Sequence, residues 1–225
     1  MPHKLTSKRQ MSDAMVTIAF LTISGGLQDA YSYFVRGKVF ANAQTGNIVL
    51  MSGHIFAGEW ASALRYFIPL LSFMLGVFVA EQIHIRFKHI SAVHWRQLIV
   101  IAEILMLFCV GFMPQSADLA ANCLTSFACA MQVQTFRKVN GYAFASTMCI
   151  GNLRSGVEVL SAYFRIRDKQ LLEKSAAYFG VILLFAIGAG IGSVSAIILG
   201  QKAIWLCCLL LFISFLLMCI REEKL

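Results

Sequence analysis

The chain alternates long apolar runs with short polar connections, and six of these runs are long enough to cross a bilayer as α-helices. A hydrocarbon core of about 30 Å takes about 20 helical residues to cross. The six predicted spans cover residues 13–35, 66–85, 97–113, 118–136, 176–199 and 203–220. The pattern therefore predicts an all-α polytopic membrane protein.

Two further segments, residues 39–56 and 143–164, are partly apolar but carry too many polar groups to face lipid. Their polar side chains are Asn42, Gln44, Thr45, Asn47 and His54 in the first, and Ser146, Thr147, Asn152, Arg154 and Glu158 in the second. Such a segment can cross inside the bundle, or enter the bilayer and return. We therefore predict eight helices, of which six are transmembrane and two are broken or re-entrant.

The distribution of basic residues separates the two topologies. With six crossings and a cytoplasmic N-terminus, 15 of the 19 Lys and Arg residues lie inside, and only Arg36, Lys38, Arg65 and Lys202 lie outside. With eight crossings, ten lie inside, eight lie outside, and Arg154 falls within the bilayer. Cytoplasmic loops are enriched in Lys and Arg, so the six-span arrangement is favoured, with both termini in the cytoplasm.

The two halves of the chain show internal similarity at an offset of about 105 residues. Gln28 aligns with Gln132, and Gly46-Asn47 aligns with Gly151-Asn152 after one inserted residue. We predict a duplication, with residues 1–115 as the first membrane repeat and residues 116–225 as the second. Three true spans per half would invert the second copy, as in many secondary transporters, whereas four would leave it parallel.

Composition supports the membrane class and excludes others. Hydrophobic residues make up 59% of the 225 residues and charged residues 13%, whereas a soluble domain carries about 25% charged residues. The net charge of +8 comes from clusters between apolar runs, so nucleic acid is not an expected partner. The seven cysteines form no CxxC pair, and no HExxH or GxSxG motif occurs. We therefore predict no metal site, no cofactor and no enzyme activity.

Polar side chains at membrane depth are the candidates for a functional site, because an unsatisfied polar group is costly there. Asp29 follows Gly25-Gly26, a pair that predicts either a helix break or a close approach of another helix, and Arg36 and Arg154 are its expected partners. Carboxamide and hydroxyl groups suit a polar solute, but they also bridge membrane helices, and both interpretations remain open. The predicted substrate-binding residues are Gln28, Asp29, Asn42, Thr45, Asn47, Gln132, Asn152 and Arg154.

Two further features lie inside predicted spans. Glu103 falls within the span at 97–113, where it faces either lipid or a partner, and a carboxyl group at such a position could relay protons. Gly188, Gly190 and Gly192 belong to a small-residue face of the span at 176–199, which predicts close packing against another helix.

Two motifs in the first half resemble the signature of the YoaK-like family. They are the run GLQDAYSY, which starts at Gly26, and the pair of triplets FAN at Phe40 and TGN at Thr45. This family consists of small bacterial inner-membrane proteins with a domain of unknown function, and the resemblance covers essentially the whole chain. It implies a bacterial inner membrane and a permease role, and it supplies no substrate or catalytic residues.

The sequence favours a small secondary transporter for a polar solute, with a site between the two repeats. The alternative is a membrane-embedded sensor, scaffold or accessory subunit whose polar motifs only fix helix packing. In either case the expected partner is the lipid bilayer, joined in the first case by a small polar solute. A bundle this small could also form a homodimer.

Overall fold

The computed structural model describes residues 15–87, 95–139, 142–143 and 149–220, and these residues form a bundle of eight α-helices. The helices are α1 (Met15–Val35), α2 (Gln44–Phe56), α3 (Trp60–Phe87), α4 (Trp95–Val110), α5 (Asp118–Thr135), α6 (Cys149–Ile166), α7 (Lys169–Leu199) and α8 (Trp205–Cys219). Short 3-10 helices at Gln115–Ala117 and Gly200–Ile204 precede α5 and α8. The predicted all-helical architecture is confirmed.

The described residues contain two short β-strands, and both lie in the connection between α5 and α6. β1 (Lys138–Val139) pairs in antiparallel register with β2 (Tyr142–Ala143), a hairpin that the sequence did not predict. The polar segment predicted from residue 143 becomes helical at Cys149. Residues 144–148 lie outside the described residues. Both chain ends, which the sequence predicts to be cytoplasmic, also lie outside them.

Two stretches of the described chain are long and apolar enough to cross a membrane on their own, Trp60–Phe87 and Lys169–Cys219. The second is the α7–α8 unit, which Gly200–Ile204 divides. The predicted count of six spans therefore stays a prediction. α4 and α8 have only 16 and 15 residues, and α1 and α5 carry buried polar side chains that lower their hydropathy. The outer faces of α3 and α7 expose large apolar side chains, which suits lipid contact.

α1 and α5 occupy the interior of the bundle. α1 packs against α7 and α8, and α5 packs against α3 and α4, so each central helix contacts helices of the opposite half of the chain. Ile18, Leu21, Leu27 and Tyr31 on α1 are fully buried in the main apolar cluster. The surrounding elements therefore fix the positions of the polar side chains on α1 and α5.

Glycines allow α1 and α7 to approach closely. A methyl group added at Gly188 would overlap the backbone of Ile23, and one added at Gly26 would overlap the backbone of Phe185. Gly192 likewise meets Leu27. Gly190 has open space around it, so Gly188 and Gly192 fulfil the predicted packing role and Gly190 lies outside the contact.

Arg36, immediately after α1, ties three elements together. Its side chain is fully buried, and all five of its N–H groups have an acceptor. The acceptors are the Tyr31 hydroxyl at 2.8 Å, the Asp118 carboxylate at 2.9 Å, and the carbonyls of Val110, Met113 and Pro114 at 2.9, 2.9 and 3.2 Å. Two of these carbonyls lie at or just beyond the end of α4, where a cation is favourable, and Asp118 begins α5. The guanidinium group therefore fixes the end of α1 against α4 and α5.

We predict that Gly188→Ala destabilises the protein by at least about 1–3 kcal/mol, because the added methyl group overpacks the α1–α7 contact. Gly190→Ala is the matched control on the same helix, and we expect it to be neutral or to stabilise by up to about 1 kcal/mol. Thermal unfolding in detergent measures both variants. Equal losses of stability in the two would show that the close contact is not decisive.

We predict that Arg36→Lys lowers the unfolding temperature, although it keeps the positive charge. A lysine has three donors and no planar fork, so it cannot satisfy the five acceptors, and each buried acceptor left unpaired costs about 1–3 kcal/mol. Arg86→Lys, at an exposed position of α3, serves as the control and should change little. An Arg36→Lys protein as stable as the control would refute this anchoring role.

Candidate functional site

A cluster of buried polar side chains lies where α1, α4 and α5 meet. Gln28 is at its centre, because its Nε2 donates to Ser24 Oγ at 3.2 Å and to Glu103 Oε1 at 3.0 Å. The Oε1 of Gln28 accepts a hydrogen bond from the Cys129 thiol at 2.9 Å. These four side chains are 0–1% exposed. One carboxamide thus joins three helices in the interior of the bundle.

Several buried polar atoms on the same three helices have no hydrogen-bond partner among the described residues. Gln132 Nε2 donates to the Leu21 carbonyl at 3.1 Å, but its Oε1 is unpaired. The other unpaired atoms are Glu103 Oε2, Ser126 Oγ and Thr22 Oγ1. A buried polar group without a partner costs about 1–3 kcal/mol, and such groups in native proteins usually mark water, an ion or a function.

Glu103 holds a carboxyl group in this interior without a compensating cation. It is fully buried, and no ion pair joins it to a Lys or Arg in the part of the chain that the structure describes. Its hydrogen-bond partner is Gln28 from α1, and Cys129 from α5 and Cys207 and Cys208 from α8 lie within electrostatic range of it. An ionised carboxylate in such surroundings costs several kcal/mol unless it is paired.

Asp29, one residue further along α1, folds the following loop back onto the helix. Its Oδ1 accepts hydrogen bonds from the backbone N–H groups of Asn42 at 2.7 Å and Ala43 at 3.4 Å. The neighbouring Ser32 hydroxyl accepts from the N–H of Ala41 at 3.0 Å. Side chains of α1 therefore accept hydrogen bonds from backbone amides of the loop between α1 and α2. These bonds give the predicted interruption between the two helices a defined geometry.

Asn47 closes the same loop from the α2 side. Its Oδ1 accepts from the N–H of Phe40 at 2.9 Å, and its Nδ2 donates to the Phe40 carbonyl at 2.7 Å and to Gln44 Oε1 at 2.9 Å. Asn47 is fully buried, whereas Thr45 is exposed. α2 has 13 residues, about 20 Å of helix, which is shorter than the hydrocarbon core.

Two predicted site residues of the second half lie on different surfaces of α6. Asn152 is buried and Arg154 is exposed. Cys149, the first residue of α6, interacts electrostatically with Asp29, so the start of α6 approaches α1. The structure therefore brings Asp29, Asn42 and Asn47 into one network and puts Gln28 and Gln132 in the buried interior, while Thr45 and Arg154 point away from both groups.

The predicted ion partners of Asp29 are wrong. Arg36 binds Asp118 at 2.9 Å, because five acceptors at the ends of α1, α4 and α5 converge on its side chain. Arg154 is exposed and forms no ion pair with Asp29. The backbone amides of the loop supply the hydrogen bonds that these cations were expected to give.

Sequence reasoning recognised Glu103 as unusual but did not include it in the site. Its partner Gln28 lies 75 positions away, and its other neighbour Cys129 carries no distinctive local pattern. The one signal in the sequence is an acidic residue in the middle of an apolar run. All seven cysteines are free, and the described residues contain no group of three side chains suited to hold a metal ion.

Comparisons with known proteins identify the family of this chain. The UPF0700 transmembrane protein YoaK of Bacillus subtilis (strain 168) is 26% identical over 202 residues, which cover 87% of this chain and 89% of that protein. No solved structure matches the chain. The family described as "Protein of unknown function (DUF1275)" matches residues 17–217. The chain therefore belongs to the DUF1275 family, and the resemblance to YoaK-like proteins is confirmed.

Proposed function

We propose that this protein is a small secondary transporter that exchanges protons for a polar solute in the bacterial inner membrane. Its two termini would lie in the cytoplasm, and its helices would cross the bilayer six times. Membrane association is supported by the transmembrane relative and by the two long apolar helical stretches. Substrate binding, proton coupling and orientation are parts of the proposal.

The observation that carries the proposal is the set of unpaired, buried polar atoms on α1, α4 and α5, which includes Glu103 Oε2. A purely structural core has no reason to keep unsatisfied oxygen atoms from Glu103, Gln132, Ser126 and Thr22 in one helical bundle. In a membrane protein such groups mark pathways for ions, protons or substrates. A small solute or water molecules between α1, α4 and α5 would supply the missing hydrogen bonds.

The interrupted segment between α1 and α2 supports the same function. Secondary transporters bind substrates at discontinuous helices near the membrane centre. Here Asp29 and Asn47 hold the turn, and Gln28 extends from the same stretch of α1 into the buried cluster. A change in the loop would therefore move the carboxamide that contacts Glu103.

The packing of the two halves is compatible with the conformational change that a transport cycle needs. α1 packs on α7 and α8, and α5 packs on α3 and α4, as expected of two related halves that exchange their central helices. We propose that one half rocks against the other around the Gln28–Glu103 cluster. Asn152 on α6 would complete the site from the second half, with Thr45 and Arg154 outside its centre.

A non-transporting scaffold or sensor is the second candidate, because Asp29 and Asn47 are already hydrogen-bonded by the loop that they fix. Under this hypothesis the polar motifs only hold the helices together. The two functions differ in what the variants below lose: activity alone for a transporter, and folded protein for a scaffold.

We predict that Glu103→Gln abolishes solute-driven proton movement and leaves a folded protein. The amide keeps an acceptor for Gln28 but cannot release a proton at any relevant pH. Vesicles that contain the purified protein and an entrapped pH-sensitive dye, exposed to a library of polar solutes, measure the effect. Thermal unfolding should show equal or greater stability, because the variant has no charge to desolvate.

Glu59→Gln is the matched control, since Glu59 is exposed and binds His54 at 2.7 Å outside the buried cluster. We expect it to transport at the natural rate. Full proton movement in Glu103→Gln would remove Glu103 from the mechanism. If no solute in the library produces proton movement with the natural protein, the result supports the scaffold hypothesis.

We predict that Asp29→Asn abolishes transport in a protein that still inserts, because the loop between α1 and α2 then loses its charged anchor. Asp29→Ala removes both carboxyl oxygens and should in addition increase hydrogen exchange of backbone amides in residues 37–43. Normal transport by Asp29→Asn would limit Asp29 to a structural role, since the amide keeps an oxygen that can accept both of these bonds.

A further inference from the structure

The helix α6 exposes one of its faces in the described structure, although that face is apolar. Its buried residues are Asn152 and Gly156, and the Gly156 carbonyl accepts a hydrogen bond from Ser175 of α7 at 2.9 Å. α6 is thus attached to the bundle through α7. Large apolar side chains on its outer side are 50–78% exposed, namely Ile150, Leu153, Val157 and Phe164.

The apolar positions of this face follow a heptad pattern. They recur at alternating intervals of three and four residues, which is the spacing of positions a and d in a coiled coil. Ile or Val occupies two of the three a positions, and Leu occupies both d positions, a combination that favours two parallel strands. The five positions, called the α6 seam below, are Ile150, Leu153, Val157, Leu160 and Phe164.

Lipid would cover only the first part of the α6 seam. α6 and α7 run antiparallel, because a connection of two residues joins them. Gly156 lies level with Ser175, just before the span predicted at residues 176–199. The later part of α6 therefore lies beside the start of α7, where four of the first six residues are charged or polar. Val157 and Phe164 thus expose apolar surface beyond the predicted hydrocarbon region, so another protein surface is the better cover.

A second copy of this chain fits the α6 seam. Two copies inserted in the same orientation are related by a two-fold axis along the membrane normal, so equivalent helices at the axis run parallel. In a parallel pair each a position meets a and each d position meets d, which makes the seam complementary to itself. Arg154, the charged residue beside the seam at position e, would face the uncharged Cys149 at position g of the other copy. No like charges would meet across the seam.

The area of the α6 seam matches a small, specific dimer interface. Full burial of one large apolar side chain removes about 60–120 Å² of accessible surface. At the exposures observed, the seams of two copies would together bury about 400–700 Å² of apolar surface. Apolar atoms form about 65% of homodimer interfaces, so the whole contact would reach about 600–1,100 Å². Specific interfaces begin near about 1,000 Å², which predicts a dimer of modest affinity.

The packing of α6 on α7 makes so short a seam sufficient. Two heptads would not hold an isolated coiled coil together, because short helices are unstable in water. Here α7 already holds α6 in its helical form, so pairing does not have to order the backbone.

We propose that the protein is a homodimer in which the α6 helices of two copies pack in parallel through the α6 seam. The dimer does not depend on the proposed transport function, since a transporter and a scaffold can both be dimeric. Its axis would run along the membrane normal beside α6.

Analytical ultracentrifugation of the purified full-length protein in neutral detergent tests the dimer. We expect a concentration-dependent equilibrium between monomer and dimer for the natural protein. Val157→Lys places two like charges at the centre of the seam and should raise the dissociation constant about tenfold or more. Ile166→Lys is the matched control, because Ile166 is 68% exposed on the same helix but lies at position c, away from the seam. It should dimerise like the natural protein, and both variants should unfold at the same temperature at concentrations where monomers prevail.

Cross-linking in membrane vesicles tests the orientation without detergent. Phe164→Cys brings two thiols together in a parallel pair, whereas an antiparallel pair centred on the seam would separate them by about 20 Å. A short bifunctional maleimide should therefore link Phe164→Cys into dimers. Ile166→Cys should stay at the level of the natural protein, whose seven free cysteines set the background.

Either measurement can overturn the proposal. It fails if Val157→Lys dimerises as tightly as Ile166→Lys, or if Phe164→Cys is linked no better than Ile166→Cys. A natural protein that is monomeric at every concentration, together with unlinked Phe164→Cys, would assign the seam to lipid or to a different protein. Linked Phe164→Cys supports the dimer even where Val157→Lys fails to fold.

Discussion

The buried guanidinium group of Arg36 is the constraint that orders the interior of this protein. A cation in a membrane bundle is tolerated only where acceptors surround it, and here Tyr31, Asp118 and three carbonyls do so completely. These acceptors belong to the ends of three helices, so their relative positions are fixed by one side chain. Because Gln28 and Glu103 lie on two of these helices, the geometry of the buried cluster depends on the same contact.

Close helix packing and buried polarity support each other in this fold. Gly26 and Gly188 bring the backbones of α1 and α7 together, and Gly76 does the same for α3 and α5. Between helices in lipid there is no hydrophobic driving force, because lipid tails are as apolar as the side chains. Backbones that approach this closely contribute dispersion energy instead. Such packing contributes stabilisation against the cost of the unpaired oxygen atoms on α1, α4 and α5.

The sequence predicted the helices well and the hydrogen bonds poorly, for a physical reason. Apolar runs and polar interruptions are local, so the eight helices and the break before α2 could be recognised from the pattern. Partner choice is not local: Arg36 meets Asp118 across 82 positions, and Gln28 meets Glu103 across 75. Charge alone suggested an Asp29–Arg36 pair, but the number of acceptors at the end of α4 decides where the guanidinium group lies.

The polar residues of α1 therefore divide into two sets with different consequences. Asp29 and Ser32 satisfy amides of the following loop, and each has little to offer a guest without first releasing the backbone. Gln28 faces a region that still contains unpaired acceptors and an uncompensated carboxyl group. A guest gains most free energy where hydrogen-bonding capacity is unused. The unused hydrogen-bonding capacity of the interior therefore lies on the Glu103 side of α1, one residue along the helix from the side chain that holds the loop.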